Sequence, residues 1–126
     1  MTKKRILVVD DEPQVTRWLK ILLDREGTYE VREENDSRCA LAVARDFQPD
    51  LVFSDIDMPH VDGGALAASL AKEFQKRVPI VFLSSLISRQ EATSGGVKTV
   101  SGYPFLPKPS SKAEVLACLA QHFGKE

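Results

Sequence analysis

Short apolar runs alternate with segments of helical period along this chain. Ile6-Leu7-Val8-Val9, Leu51-Val52-Phe53 and Pro79-Ile80-Val81-Phe82-Leu83 are continuous apolar stretches, the mark of strands buried on both faces. Between the first two, Val15, Trp18, Leu19, Leu22 and Leu23 recur at i, i+3, i+4, i+7 and i+8 and predict an amphipathic helix. Pro13 suits its first turn and Gly27 its end. Tyr29 to Arg32 is a weaker, more polar run and predicts a strand nearer a sheet edge. Ala40, Leu41, Ala44 and Phe47 form a second helical stripe, capped by Asp36 or Ser37 and broken at Gln48-Pro49-Asp50. Ala65, Leu66, Ser69, Leu70 and Phe74 form a third.

The C-terminal third is less regular. Ser88-Arg89-Gln90-Glu91 reads as a capping box, yet Ser94-Gly95-Gly96 weakens the helix it opens within about two turns. Tyr103 to Leu106 predicts a last short strand, followed by Pro107-Lys108-Pro109. Ser111-Lys112-Ala113-Glu114 is a second capping box, opening a final helix with Val115, Leu116, Leu119 and Phe123 on one face. Strand–helix alternation repeated five times predicts an α/β fold: a parallel sheet with helices on both faces. With no repeat or linker, one domain spanning residues 1–126 is expected.

Composition narrows the class. At 126 residues, 43% hydrophobic and 28% charged, the chain suits one soluble domain with a sizeable core. Its net charge of −1 gives no bulk attraction to nucleic acid or membrane. The basic start resembles a signal peptide, but its apolar run ends after Val9, short of the roughly 7–15 residues required. No stretch reaches the roughly 18 apolar residues of a membrane span, so a cytoplasmic location is expected. Cys39 and Cys118 lack metal-ligand spacing and fall among apolar residues, and buried reduced thiols are expected. His60 and His122 are read as surface residues without ligand partners.

The polar residues are informative by position. Asp10-Asp11, Asp55 with Asp57, Ser84-Ser85 and Lys108 each follow a predicted strand. In an open parallel sheet those carboxyl ends share one edge, where ligands bind. Each has a plain alternative: Asp10-Asp11-Glu12-Pro13 also suits a helix N-terminus, and Lys108 alone suits a solvated surface. Together they converge. Carboxylates brought close repel unless a cation or protons neutralise them, and a few carboxylates plus water suit Mg2+. Lys108 and Ser84 beside such an ion supply donors for phosphoryl oxygens, and a carboxylate there is a candidate nucleophile.

The order Asp10-Asp11, Asp55-Ile56-Asp57-Met58-Pro59, Ser84-Ser85 and Lys108-Pro109 resembles the receiver domain of bacterial two-component response regulators, over essentially the whole chain. The resemblance implies a three-layer doubly wound (βα)5 sandwich, its five-stranded parallel sheet in the flavodoxin-like order 2-1-3-4-5. It implies Asp55 as phosphoacceptor from a sensor histidine kinase or phosphotransfer protein. It implies Mg2+ held directly by Asp11 and Asp55, through water by Asp10, and by the backbone carbonyl of Asp57. Lys108 would pair with the phosphoryl group and Ser84 would hydrogen-bond it. Phe105 would be the aromatic switch, and Pro109 would orient the lysine. Output would pass through the face of the fourth helix, fifth strand and fifth helix to an effector domain or target protein, with a phosphorylation-dependent dimer allowed. Neither nucleic acid binding by this domain nor enzymatic turnover is implied, beyond assistance to its own phosphorylation and dephosphorylation.

Three departures fall on that output face. Ser101-Gly102 is followed by Tyr103-Pro104, Lys108 sits between two prolines, and Ser94-Gly95-Gly96 predicts an atypical fourth helix. Rival readings are a receiver-like interaction module working without phosphorylation, a haloacid-dehalogenase-like phosphatase and a flavodoxin-type electron carrier. The phosphatase's Asp-x-Asp motif normally ends a first strand, whereas Asp55-Ile56-Asp57 follows the third. The electron carrier needs a Ser/Thr/Gly-rich phosphate loop where this chain has Asp-Asp-Glu-Pro.

Overall fold

The computed structural model describes residues 3–56, 58–75, 77–84, 99–100, 103–108 and 111–123. Their elements run β1 (Lys4–Val9), α1 (Pro13–Asp24), β2 (Tyr29–Glu34), α2 (Ala40–Phe47), β3 (Leu51–Asp55), α3 (Gly63–Glu73), β4 (Ile80–Ser84), β5 (Thr99–Val100), β6 (Tyr103–Pro107) and α4 (Lys112–Phe123). The capping box at Ser88 and the Ser94-Gly95-Gly96 break lie outside the described residues. The predicted fifth helix is therefore α4 here.

The sheet order is β2-β1-β3-β4-β6-β5. Every pairing among the first five of these strands is parallel, so the expected order 2-1-3-4-5 holds for the parallel sheet. Unexpectedly, β5 adds a two-residue antiparallel strand beside β6. It pairs with Tyr103 and Pro104, and among the described residues no strand borders the C-terminal end of β6 on that side. The Lys108 amide donates to the Ser84 carbonyl, on the β4 side. By strand alternation the nitrogen of Pro107 faces the opposite side, where among the described residues no strand stands to receive an N–H.

Alternation along the strands sorts the core into two halves. Ile6, Val8, Leu51, Phe53, Val81 and Leu83 pack against α1 and α4. Leu7, Val9, Val52, Ile80 and Phe82 pack against α2 and α3. This makes three layers, and it explains the uninterrupted apolar runs: both faces of β1, β3 and β4 are covered. The second capping box forms as predicted. Ser111 N–H donates to Glu114 Oε1 (2.7 Å) and Glu114 N–H to Ser111 Oγ (3.1 Å).

Several side chains depart from their predicted faces. Trp18 is 38% exposed, and the buried positions of α1 are Thr16, Leu19, Leu22 and Leu23. In α3, Ala65 and Ser69 face solvent while Leu66, Ala67 and Leu70 are buried. Cys39 is exposed, not buried, because it stands at the start of α2 on the helix's outer side; Cys118 is buried as expected. His60 is exposed, but His122 is half-buried, with its Nδ1 2.9 Å from the Cys118 carbonyl oxygen. None of the described helices is long and apolar enough to cross a membrane.

Candidate functional site

Strand parity delivers the site. Asp10 continues the alternation of Ile6 and Val8, Asp55 that of Leu51 and Phe53, and Lys108 that of Leu106, all on the α1/α4 side of the sheet. The neighbours β1 and β3 lie where the strand order reverses, the position at which open α/β sheets bind ligands. There one oxygen from each of Asp10, Asp11 and Asp55 falls within 4.8 Å of the others. Asp10 is fully buried, Asp55 is 6% exposed, and Asp11 faces solvent. The cluster is therefore walled on one side and open to water on the other.

Lys108 enters from the far end of the chain. Its Nζ lies 2.9 Å from Asp10 Oδ2, 3.1 Å from Glu12 Oε1 and 3.4 Å from Asp55 Oδ1. Burial alone would lower its pKa, but hydrogen bonds to Asp10 and Glu12, with the Asp10 and Asp55 charges, hold it above the ordinary lysine value. Asp10 shifts upward, chiefly through burial, against the pull of the Glu12 amide and Lys108. Asp10 Oδ1 accepts from the Glu12 N–H at 2.9 Å, so both its oxygens are engaged. That bond belongs to the turn before α1. Neither Asp10 nor Asp11 caps the helix: its N-cap is Glu12, without a side-chain bond.

Ser84 ends β4 with 2% of its surface exposed, and its carbonyl oxygen accepts from the Lys108 N–H (3.0 Å). The backbone thus ties the serine's strand to the lysine's. Phe105 is half-buried against the α2/α3 half of the core, in register with Phe82. Asp57 and Pro109 lie outside the described residues.

Four neighbours went unnoticed in the sequence. Glu12 shares Lys108 although 96 positions away, with only its adjacency to Asp10-Asp11 as a signal. Asn35 donates from Nδ2 to the Asp10 carbonyl (2.8 Å) and to Thr16 Oγ1 (3.0 Å), fixing the backbone behind the cluster. Thr16 Oγ1 in turn donates to Glu33 Oε1 (2.8 Å). Gly63 starts α3 against the end of β3. A Cβ there would collide with the Asp55 carbonyl oxygen and stand 2.8 Å from Ile56 Cα, so glycine's absent side chain is the signal.

Three carboxylates against one fully engaged ammonium leave an excess of negative charge with water access, a donor set that fits a hard divalent cation. Comparison with known proteins points the same way. The family model of the response regulator receiver domain matches residues 6–120. The chain is 32% identical over 114 residues to the DNA-binding dual master transcriptional regulator RpaA of Synechocystis, covering 90% of this chain and 46% of that one. It is 31% identical over 119 residues to protein PilG of Pseudomonas aeruginosa, covering 94% and 86%. It superposes on chemotaxis protein CheY4 of Vibrio cholerae with a TM-score of 0.80 at 28% identity, covering 97% of this chain and all of the other.

Proposed function

The chain belongs to the response regulator receiver domain family of two-component signalling, and on that premise we propose that Asp55 accepts a phosphoryl group from a phosphohistidine. The donor is a sensor histidine kinase or a phosphotransfer protein. The observation that carries this reading is the meeting of Asp10, Asp11, Asp55 and Lys108 at one sheet edge. The phosphorus–nitrogen bond of the donor breaks, its electron pair passes to the imidazole, which takes up a proton, and an Asp55 carboxylate oxygen forms the new bond to phosphorus. Asp55 suits the role: its strand is central and buried, so the nucleophile is held rather than searched for.

Receiver domains bind Mg2+ at an acidic pocket, and here Asp11 and Asp55 would hold the ion directly. Asp10 would act through water, because both its oxygens already accept hydrogen bonds. The main-chain carbonyl of Asp57 would complete the protein ligands. Bound there, Mg2+ supplies electrostatic stabilisation to the transferring phosphoryl oxygens. Lys108 gives up part of its contact with Asp55 to pair with the product's phosphoryl group, and the Ser84 hydroxyl, one strand away, hydrogen-bonds it. Pro109 would orient the lysine.

Movement of Ser84 toward the phosphoryl group and of Phe105 after it would reshape the expected output face, to which β6 and α4 contribute. Such a switch needs the modification to favour one of two arrangements by differential contacts. The chain spans about half the length of several curated relatives it matches, RpaA among them, so output through an effector domain, a separate target or a dimer is likewise a proposal. DNA binding is named for RpaA; a net charge of −1 supports no direct nucleic acid contact by this domain. The setting proposed is the cytoplasm, and the role a phosphoacceptor, without turnover of a separate substrate.

Acetyl phosphate or beryllofluoride with Mg2+ tests the reading. Mass spectrometry should find the phosphoryl adduct, or the beryllofluoride complex, on wild type and not on Asp55→Asn. An adduct that persists in the mutant, or none in wild type, sinks the assignment.

A further inference from the structure

The backbone ladder between β1 and β2 ends at Asp10, and a side chain takes over its last rung. The strands run parallel with Val9 opposite Glu34, and the Asp10 N–H still donates to the Glu34 carbonyl (3.1 Å). A continued parallel ladder would next bring the Asp36 N–H to the Asp10 carbonyl. Instead the Asp36 N–H turns back to Glu34 Oε2 (2.9 Å), and the chain leaves the sheet for α2. The caps expected from sequence, Asp36 and Ser37, are not used there. The N-cap of α2 is Cys39, without a side-chain bond, and the Ser37 hydroxyl donates to the Pro59 carbonyl (2.6 Å). The missing rung comes from Asn35, whose Nδ2 donates to the Asp10 carbonyl at 2.8 Å.

Strand parity puts Asn35 in reach. Val31 packs into the α1/α4 half of the core, so Glu33 and Asn35 fall on the same side of the sheet. The second N–H of the Asn35 amide goes to Thr16 Oγ1 (3.0 Å), and the fully buried Thr16 donates to Glu33 Oε1 (2.8 Å). Both amide protons are thus spent, and because a carbonyl only accepts, the nitrogen rather than the oxygen of Asn35 must face Asp10. The chain Glu33–Thr16–Asn35 ties β2 and α1 to one peptide, the one between Asp10 and Asp11. Asn35 is itself exposed, so water can satisfy the Asp10 carbonyl in its absence. Water does not fix the carbonyl's direction.

That direction matters because the three carboxylates are held differently. Asp10 is locked through both oxygens, by the Glu12 N–H and by Lys108. Asp55 ends a central, buried strand. Asp11 is exposed, and among the described residues no hydrogen bond or ion pair holds its carboxylate. Its place rests on its backbone, and the planar peptide that precedes it is the one Asn35 bonds. Asn35 and Asp11 also line one polar cavity. We propose that Asn35 is a positioning residue for the cation site: by bonding the Asp10 carbonyl it fixes the Asp10–Asp11 peptide, and so holds the Asp11 carboxylate where it meets Mg2+. The inference rests on the Mg2+ reading above.

Isothermal titration with Mg2+ should show Asn35→Ala binding about tenfold more weakly than wild type, the low end for lost outer partners of metal ligands. At saturating Mg2+, acetyl phosphate should modify Asp55 of the variant within about twofold of the wild-type rate, a loss of affinity without loss of the step itself. Titration reads the folded chain, so a merely structural role would lower the metal-free melting temperature and leave the affinity alone. That result overturns the proposal, as does a modification rate that stays low at saturation. Should Asn35→Ala fail to fold, wild type carries the test. Coupling is reciprocal, so Mg2+ must make opening of the Asn35 bond about tenfold rarer and slow the exchange of its Nδ2 protons. Exchange indifferent to Mg2+ overturns the proposal. The readings fail separately. Wild type that binds no Mg2+ removes the cation site and the Asn35 role with it, whereas wild type and Asn35→Ala binding Mg2+ equally removes the Asn35 role alone. Wild type that binds Mg2+ but is never modified removes the phosphoacceptor role, and the affinity comparison still decides Asn35.

Discussion

Lys108 Nζ is shared among Asp10, Glu12 and Asp55, and the sharing is unequal. Asp10 is wholly buried and holds the shortest contact, while Glu12 is half exposed and contributes as a surface pair does, about 0–1 kcal/mol. Asp55 at 3.4 Å is the loosest, so the lysine stands next to the proposed nucleophile without being spent on it. The two cysteines show how far environment separates identical groups. Burial pushes the Cys118 thiol up to about 11 from an ordinary value of 9.0, while Cys39 stands in solvent. A disulfide reagent at pH 8 should therefore titrate one thiol per native chain, Cys39, and a second only on unfolding. Because folding raises the Cys118 value, its contribution to stability is complete below about pH 9 and lost as pH rises toward 11. Denaturation midpoints across that range check the sign: Cys118→Ala should flatten the alkaline fall, and an unchanged slope would contradict it.

At the level of elements, the site depends on how closely α3 begins on the end of β3. The N–H of Gly63 hydrogen-bonds the Ile56 carbonyl at 2.7 Å, and no Cβ fits between them and the Asp55 carbonyl. Gly63→Ala must lift the first turn of α3 or push the last peptide of β3 aside. Overpacking of this kind costs about 1–3 kcal/mol. Urea denaturation should show that loss, with modification of Asp55 by acetyl phosphate slowed as well, whereas Gly64→Ala, whose Cβ would meet only an Asp62 carboxylate oxygen at 3.4 Å, should change little. Equal behaviour of the two variants would contradict the close approach. This contact also marks the limit of legibility. Strands β1, β3 and β4 could be read from sequence because burial on both faces leaves continuous apolar runs in them, and the polar residues at their ends stood out against that background. The outward turn of Trp18 could not, since α1 carries Val15, Ile21 and Leu22 around much of its circumference and periodicity alone does not choose a face. Small residues such as Ala65 and Ala67 carry the same ambiguity. The two-residue β5 has no period to detect, and Ser37's bond to Pro59 joins a loop to a loop, where no pattern exists.

For the whole molecule, the cluster sets a conflict that folding alone does not resolve. Bringing Asp10, Asp11 and Asp55 together within 4.8 Å opposes folding by mutual repulsion, and Lys108 offsets it only in part. A cation that binds the folded chain and not the unfolded one adds RT ln(1 + [L]/Kd), about 1.4 kcal/mol at ten times Kd. For a domain of this size that is a rise of roughly 4–8 °C in Tm. Calorimetry with increasing Mg2+ should show this climb in wild type, and removing the ion with a chelator should reverse it. Asp11→Asn should behave in the opposite way at both ends. With one carboxylate fewer, the metal-free variant should melt no lower than wild type, yet Mg2+ should hardly move it. The crossing of the two curves is the diagnostic feature, because a merely structural aspartate would lower stability at every Mg2+ concentration. Curves that stay parallel would mean that Asp11, the exposed member of the cluster, does not hold the ion.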